Sequence, residues 1–526
     1  MLKVLITDGL SQKGIKIFND AGIETDIRKL SPDELIDEIK NYDGIVVRSG
    51  TTVTSSVIEV SDRLKVIGRA GSGLDNVDIN SATKRGIVVM NTPGGNTVTT
   101  AEHTIAMLLS LTRMIPLATA STKSGKWEKG KLMGSELYNK TLGVIGIGQI
   151  GSYVAKLAQG LMMNVIAYDP YLSQEKAVKM GIESSDLDEL YRRSDFITVH
   201  SPLTPETLNL IDTTAIEKMK DNVYIINCAR GGIINETDLY NALKNGKVRG
   251  AALDVFEKEP VAPDNPLLSL NNVICTPHLG AATKEAQENV AIAIASQIVD
   301  YLINGIVRNA VNIPSVSPDV LPEIQPYINL GEKLGTFQTQ IYEGGLEKVT
   351  IEYRGKVSTL FTPPITIAVL KGLLSPVLKE TVNYVNAPII ARERGIEVEE
   401  LKIDEAGDFS SLIVIRVKAK DKEGKITGAL YSSKDPRIIE VDNFSIEIIP
   451  EGTMLMLSNN DRPGVIGSIG KILGDKNINI SRMQFGRERP GGIAISVIGI
   501  DTDVTPEFLD KIKQLPNVLS VKQISL

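Results

Sequence analysis

From Lys140 onward, six short apolar runs (TLGVIG, NVIAYD, DFITVH, NVYIINC, GAALDV and NVICTP) follow one another with helical patterns between them. Strands that alternate with helices in this way pair in parallel, because each connection is long enough to cross over the sheet. The arrangement they predict is an α/β unit with a doubly wound parallel sheet, whose ligand crevice lies beyond the carboxyl ends of the strands. The remaining sequence has to be organised around that unit.

Before it, Leu2 to Ile6, Gly44 to Val47, Val66 to Ile67 and Ile87 to Val89 read as further strands. They are separated by helix-like stretches such as SPDELIDEIK, where Ser31 before Asp33 and Glu34 suits a helix start. Two long helix candidates bracket the central unit, AEHTIAMLLSLTRMIPLATASTKSG before it and ATKEAQENVAIAIASQIVDYLING after it. The second would return the chain to the first region. That predicts a discontinuous first domain, residues 1–97 and 283–309, with residues 98–282 inserted and a cleft between the two.

At 526 residues the chain is too long for one core, and further domains are expected. The proline-dense NIPSVSPDVLPEIQP reads as a linker. Beyond it, Thr350 to Glu352, Ser411 to Val417, Gly428 to Tyr431 and Ile446 to Ile449 read as strands around one helical stretch, IAVLKGLLSPVLKETVNYVNAPIIARERG, an α+β domain over 310–452. The tail, 453–526, runs strand, helix, strand, strand, helix, strand, the ferredoxin-like order.

Within the central unit GVIGIGQIG places Gly146, Gly148 and Gly151 between a strand and a helix. There they permit a tight turn and the approach of a pyrophosphate to N–H groups at a helix N-terminus. The following strand ends at Asp169, whose carboxylate suits two ribose hydroxyls and would repel a 2′-phosphate, and Pro170 and Tyr171 bring no compensating cation. NAD is therefore expected rather than NADP. Glycines and an Asp at such a turn could also serve the backbone alone, but their order and spacing match the dinucleotide fingerprint.

The chain contains three histidines. His103 lies on an apolar helical pattern and reads as a satisfied or hinge-region residue. His200 follows DFITV, with a structural role as reasonable as a ligand-facing one. His278, in CTPHLGAAT, falls between the last strand and the helix that crosses to the other domain, which is a catalytic address. Arg230 in NCARGG and Glu259 in VFEKEP follow neighbouring strands and should reach the same edge.

The stretch from GRAGSGLDNVD through NTPGGN, GVIGIGQIG, NCARGGIINE, AALDVFEKEP and TPHLGAAT resembles the D-isomer-specific 2-hydroxyacid dehydrogenase family, and the tail NNDRPGVIGSIG resembles an ACT domain. The resemblance implies a flavodoxin-like substrate domain carrying an inserted Rossmann domain, followed by an intervening domain and an ACT domain. It implies catalytic roles for Arg230, Glu259 and His278, and NAD contacts at Ser72, Gln149, Ile150, Asp169, Ser201, Cys228, Ala229, Arg230, Asp254, His278 and Gly280. The family often carries Arg or Lys where Gln149 stands, but backbone N–H groups do most of the phosphate binding. The long members of the family, with both added domains, imply oxidation of 3-phospho-D-glycerate to 3-phosphohydroxypyruvate, the entry step of L-serine synthesis.

A phosphorylated substrate needs further cations, and Arg48 in VVRSGT and Arg69 in GRAGSG each end a strand candidate, with a solvated surface position as the alternative; Lys131 is a weaker candidate that could reach a neighbouring subunit. In the tail, Asn459 and Asp461 in the first loop and Asn479 at the next strand could hold L-serine between paired tails as an effector, or could simply be turn residues. Arg437 offers a cation in the intervening domain, with no ligand assigned. A homo-oligomer is expected, a tetramer before a dimer.

A net charge of −7 and pI near 5.4 argue against a nucleic-acid-binding surface. Cys228 and Cys275, in strand-like runs, read as buried apolar fillers. No spanning stretch, signal segment or metal-ligand set is recognised, so a cytosolic protein without membrane contact is expected. A glycerate or hydroxypyruvate reductase would use the same three residues but has no need of the added domains. An NAD-sensing regulator would not need all three, and a homoserine dehydrogenase would not explain ARGG, EKEP and TPHLG in this order.

Overall fold

In the computed structural model, which describes residues 1–526 except 315, 317–318, 343, 379–381 and 420–421, the strands form four sheets. The first contains β1 (Lys3–Ile6), β2 (Glu24–Ile27), β3 (Gly44–Val47), β4 (Val66–Arg69) and β5 (Val88–Met90). All are parallel, in the order β2-β1-β3-β4-β5. This is the flavodoxin order, which reverses between β1 and β3. Both faces are covered, which explains why the inner strands are apolar runs: Val4 and Ile6 lie in one core with Phe18, Ile294 and Ile298, while Leu5 lies in the other with Leu35, Val57 and Ile58. Strand β2, ETDI, is a polar edge strand that apolar patterning passes over.

Ile294 and Ile298 belong to the helix Lys284–Asn304, capped by Thr283 and ended by Gly305 at φ 68°, which brings the chain back to the first sheet. The return continues beyond residue 309. Asn312 accepts the Val89 N–H at 2.9 Å and donates to the Ile87 carbonyl at 2.8 Å.

The inserted unit contains β6 (Thr141–Ile145), β7 (Asn164–Tyr168), β8 (Glu183–Ser184), β9 (Phe196–Val199), β10 (Val223–Asn227), β11 (Val248–Leu253) and β12 (Val273–Cys275). The sheet is parallel, in the order β12-β11-β10-β9-β6-β7-β8, with the reversal between β6 and β9. Two expectations are corrected here. The single helix read over AEHTIAMLLSLTRMIPLATASTKSG is two, Thr97–Thr112 and Ile115–Lys123, bent by 61° at Met114, which adopts φ 53°. Pro116, lacking an N–H, starts the second helix rather than continuing the first. Cys275 is exposed rather than buried, because β12 is an edge strand, whereas Cys228 is buried.

The third sheet contains β13 (Lys348–Gly355), β14 (Glu397–Ile403), β15 (Ser411–Ala419), β16 (Lys422–Tyr431), β17 (Asp435–Val441) and β18 (Phe444–Ile448), in the order β14-β13-β15-β16-β17-β18. Two features differ from the sequence reading. The proline-dense linker, of which 315 and 317–318 lie outside the described residues, gives way at Leu321 to a helix, Leu321–Ile341, with Pro322 in its first turn. The helical stretch at 367–395 is two helices, Pro363–Leu378 and Ala387–Glu393, and 379–381 lie outside the described residues.

The fourth sheet contains β19 (Thr453–Asn460), β20 (Ile480–Arg487), β21 (Ile493–Ile500) and β22 (Val518–Ser525), antiparallel in the ferredoxin-like order β20-β21-β19-β22. Leu455, Leu457 and Ile498 pack with the helices Val465–Gly474 and Pro506–Lys513. The opposite face is not free. Met454, Ile495, Val497 and Ile524 belong to one continuous core with Leu330, Leu334 and Phe337 of the helix Leu321–Ile341. Among the described residues no single helix is long and apolar enough to cross a membrane.

Candidate active site

The carboxyl ends of β10, β11 and β12 deliver the three residues singled out in the sequence to one cleft of about 350 Å³ between the first two units. Arg230 and His278 line it, and Glu259 sits behind the histidine with its Oε2 2.7 Å from His278 Nδ1. Glycine makes the loops fit. A Cβ on Gly231 would lie 1.8 Å from the Phe256 carbonyl oxygen, so this glycine lets the Arg230 loop lie against the loop that leads to Glu259.

The contact with Glu259 raises the pKa of His278 above its ordinary value, outweighing burial and the nearby Arg230 charge, which lower it. Burial works to raise Glu259, yet the hydrogen bond and charge of His278 bring it below the ordinary carboxyl value. With Nδ1 committed to the carboxylate, Nε2 is the nitrogen left to exchange a proton in the cleft.

Asp254 is 1 % exposed and organises the same loop, accepting Thr276 Oγ1 at 2.5 Å and the N–H groups of Leu279 and Gly280 at 2.7 and 2.8 Å. His103 Nε2 stands 3.2 Å from Asp254 and 3.3 Å from Thr276 Oγ1, a satisfied position on the helix between the units. Burial pushes His200 down to about 4, so it is neutral; its Nε2 is 3.0 Å from Thr198 Oγ1. The thiol of Cys228 is pushed up to about 12 by burial and is held in its protonated form.

The residues present fit a dinucleotide. Gly146 adopts φ +94°, and a Cβ on Gly151 would fall 1.9 Å from the Gly146 carbonyl oxygen, so the turn closes only with glycine at both places. Gly148 caps the helix Gln149–Gly160 without a side chain, leaving the N–H groups of its first turn open to an anion. Asp169 is fixed at the end of β7 by the N–H groups of Ile147 and Tyr171, both at 2.8 Å. Ser201 Oγ is buried without a partner and waits for one. Ser72, Ile150, Ala229 and Gly280 line the cleft beside it, and the Gln149 side chain is turned to Thr97 at 3.1 Å.

Of the proposed phosphate cations, Arg69 lines the cleft and Arg48 lines an adjoining hollow with Asp8 and Ser11. Arg69 Nε is buried with no partner, and burial together with Arg230 and Arg48 lowers its pKa to about 10. Two guanidinium groups, Arg69 and Arg230, thus line the cleft, and the charge of Arg48 in the neighbouring hollow is felt at Arg69. Lys131 is not among them: it pairs with Glu128 at 2.9 Å. Sequence reasoning missed Asp75, which accepts Arg230 Nε at 2.8 Å from the other side of the cleft, and Asp8, which holds the loop after β3 through Arg48 N, Thr51 N and Thr51 Oγ1. Asp75 stood within the quoted GRAGSGLDNVD motif, but as a turn carboxylate it carried no sign of its partner.

In the tail, Asn459 is a strand residue of β19, 5 % exposed, rather than a loop residue. Asp461 accepts from Gly491 N at 3.1 Å, and Asn479 donates to Asp501 at 2.8 Å. Register places Asn459 opposite Ala494, whereas the start of β20 meets Ile500 at the other end of β21. The three candidate effector residues therefore do not converge within one chain. Arg437 is an internal contact, over the Tyr431 ring and 3.5 Å from Glu447.

Comparison with known proteins agrees with this architecture. Residues 105–280 match the model for the D-isomer specific 2-hydroxyacid dehydrogenase NAD binding domain, 323–442 that for the D-3-phosphoglycerate dehydrogenase intervening domain, and 453–517 that for the ACT domain. The chain is 45 % identical to D-3-phosphoglycerate dehydrogenase of Archaeoglobus fulgidus and 46 % identical to that of Methanocaldococcus jannaschii, in each case over 100 % of both chains. A crystal structure of NAD-dependent formate dehydrogenase from Staphylococcus aureus in complex with NAD is 29 % identical, covers 60 % of this chain and 100 % of its own, and superposes with a TM-score of 0.55. With full-length identity of this order and all three domain models in register, the chain belongs to the D-3-phosphoglycerate dehydrogenase family.

Proposed function

We propose that this protein oxidises 3-phospho-D-glycerate to 3-phosphohydroxypyruvate with NAD, the step that opens L-serine synthesis. The observation that carries the reading is the meeting, in one cleft, of the His278–Glu259 pair at 2.7 Å with Arg230 and with Arg69, whose buried Nε has no hydrogen-bond partner. NAD, when bound, supplies the acceptor for the hydride from carbon 2. His278 Nε2 takes the proton of the 2-hydroxyl, and Glu259 holds the imidazole through Nδ1 and favours its charged form. Arg230 grips the carboxylate and polarises the developing carbonyl with a planar fork of donors. Arg69 and Arg48 hold the phosphate. NADH oxidation measured side by side with 3-phosphohydroxypyruvate, hydroxypyruvate and 2-oxoglutarate tests this. Preference for the phosphorylated acid is expected, and preference for hydroxypyruvate would overturn the substrate.

The same reading includes end-product control by L-serine. Asn459 and Asp461 lie at one end of an eight-residue strand pair and Asn479 at the other, roughly 20 Å away at strand rise, so a site using all three needs two tails side by side. Chain pairing has further support in the apolar residues left open around the bent helix pair, Ile115, Trp127, Met133 and Tyr138, which are 50 to 86 % exposed. Pairing at both places makes a homotetramer. A cytoplasmic location belongs to the same reading, supported by two unpaired cysteines. Calorimetric titration with L-serine, alongside sedimentation, checks the control: heat of binding from an oligomer is expected, and no heat with serine-insensitive turnover would refute it.

A further inference from the structure

The guanidinium of Arg230 is not free to choose its plane. Nε donates to Asp75 Oδ2 at 2.8 Å and Nη1 donates to the Ala229 carbonyl at 2.7 Å. On the remaining side the backbone of Gly73 closes in, so that a Cβ there would lie 2.0 Å from Nη2. Arg230 is carried by the loop after β10 in the inserted unit, whereas Gly73 and Asp75 are carried by the loop after β4 in the first. The group that meets the substrate is therefore oriented from across the cleft.

A free arginine presents five N–H donors and gains its selectivity for carboxylates from a fixed fork. With Nε taken by Asp75 and one Nη1 hydrogen by Ala229, three donors remain, on the end of the group formed by Nη1 and Nη2. Asp75 also faces Arg69, whose charge it supports against Arg230 and Arg48. The pair contributes little to stability. Its side chains are 69 and 30 % exposed, and exposed ion pairs contribute about 0–1 kcal/mol. A carboxylate that adds so little to folding, yet touches the group that grips the substrate, has its effect on geometry.

We propose that Asp75 is a positioning residue for Arg230: its carboxylate sets the plane of the guanidinium from the opposite unit, so that the end-on fork is formed only when the two units stand in this relation. The proposal rests on the role given above to Arg230. Asp75 lines the same cleft, and the role assigned to it acts through the arginine.

The experiment is a double-mutant cycle on full-length protein, with Asp75→Ala, Asp75→Asn, Arg230→Ala and the pair Asp75→Ala/Arg230→Ala. The readouts are kcat and KM for 3-phosphohydroxypyruvate, NADH binding by fluorescence, and thermal midpoint. Asp75→Ala is expected to lower kcat by about 10²-fold, the cost of misplacing a reacting group by about 1 Å, with NADH binding and midpoint unchanged. Asp75→Asn keeps an acceptor for Nε and should recover most of that loss. In the Arg230→Ala background Asp75→Ala should cost nothing further, since its effect passes through the arginine. An equal loss from Asp75→Ala with and without Arg230, a rise in KM with kcat intact, or no recovery by Asp75→Asn would each overturn the proposal. An active Arg230→Ala protein would overturn the underlying reading instead. Should Asp75→Ala fail to fold, Asp75→Ser, which also removes the carboxylate, takes its place in the same cycle with Arg230→Ala.

Discussion

His278 stands at φ 55°, with its backbone N–H held by the Asp254 carbonyl at 3.0 Å and its ring held by Glu259. Fixed at both ends, the imidazole has one nitrogen left for chemistry. His278→Ala is expected to lower turnover by about 10²–10⁴-fold, the usual worth of a general base, while NADH still binds. Full activity in that variant would remove the assignment. The pH profile gives an independent check. As His278 must be neutral to accept a proton, oxidation should rise with pH through a pKa above 6.5, and reduction of the keto acid should fall through the same pKa. Glu259→Gln removes the chief cause of the raised value and leaves burial and Arg230 to lower it against the charge of Asp254, so both profiles should move to lower pH. Movement to higher pH would contradict the pairing. His278 was legible in the sequence because only three histidines compete and one alone lies where the chain changes domain. Asp75 was not, since its partner is 155 positions away in the chain and only the packing of the two units brings them together.

The glycine turn after β6 is the element on which cofactor binding depends, and its tolerance is narrow. Gly151→Ala would press a methyl group against the Gly146 carbonyl at 1.9 Å, and backbone cannot yield as a flexible side chain can. A loss of NADH affinity of at least tenfold is expected in fluorescence titration; at Gly160, at the far end of the same helix, where nothing lies within 4 Å of the added carbon, Gly160→Ala should cost much less. Equal effects at the two positions would show that steric closure of the turn does not matter. The strands around this turn were legible because a sheet covered on both faces demands unbroken apolar runs. The strands that escaped notice are those without such cover: β2 and β8 at sheet edges, β14 with the sequence EVEELKI, and β17, which a bulge against β16 interrupts. The break at Met114 escaped because the apolar spacing runs on through Pro116 and hides the loss of one N–H.

At the scale of the whole chain, the tail is not an independent lobe. Composition and element order divide 310–452 from 453–526, and the sheets are indeed separate, yet Met454, Ile495, Val497 and Ile524 are at most 3 % exposed within the core of the preceding domain. Hydrogen bonds reinforce the joint: Gln340 exchanges two with the Ser525 backbone, both at 3.0 Å, and Lys522 Nζ donates to the Ile341 carbonyl at 2.7 Å. A sequence shows which residues of a strand are apolar but not which of two flanking partners covers each face. The inward residues of β19, β21 and β22 looked like the core of one small domain when they serve two. Two bodies that share a core unfold together. Ile524→Ala, at a fully buried site, should therefore destabilise the intervening and ACT sheets jointly, by about 2–5 kcal/mol, and urea unfolding followed by hydrogen exchange should show β13 to β18 and β19 to β22 losing protection in one step. Loss of protection confined to β19 to β22 would show that the tail moves on its own. A joint response means that any ligand drawing two tails together moves the intervening domain with them. That domain reaches the first one at Asn383, whose Nδ2 donates to the Gly86 carbonyl at 2.9 Å, and at Val385, which is buried in the core beneath β5. The tail is thus joined through the intervening domain to the unit that holds Arg69 and Asp75.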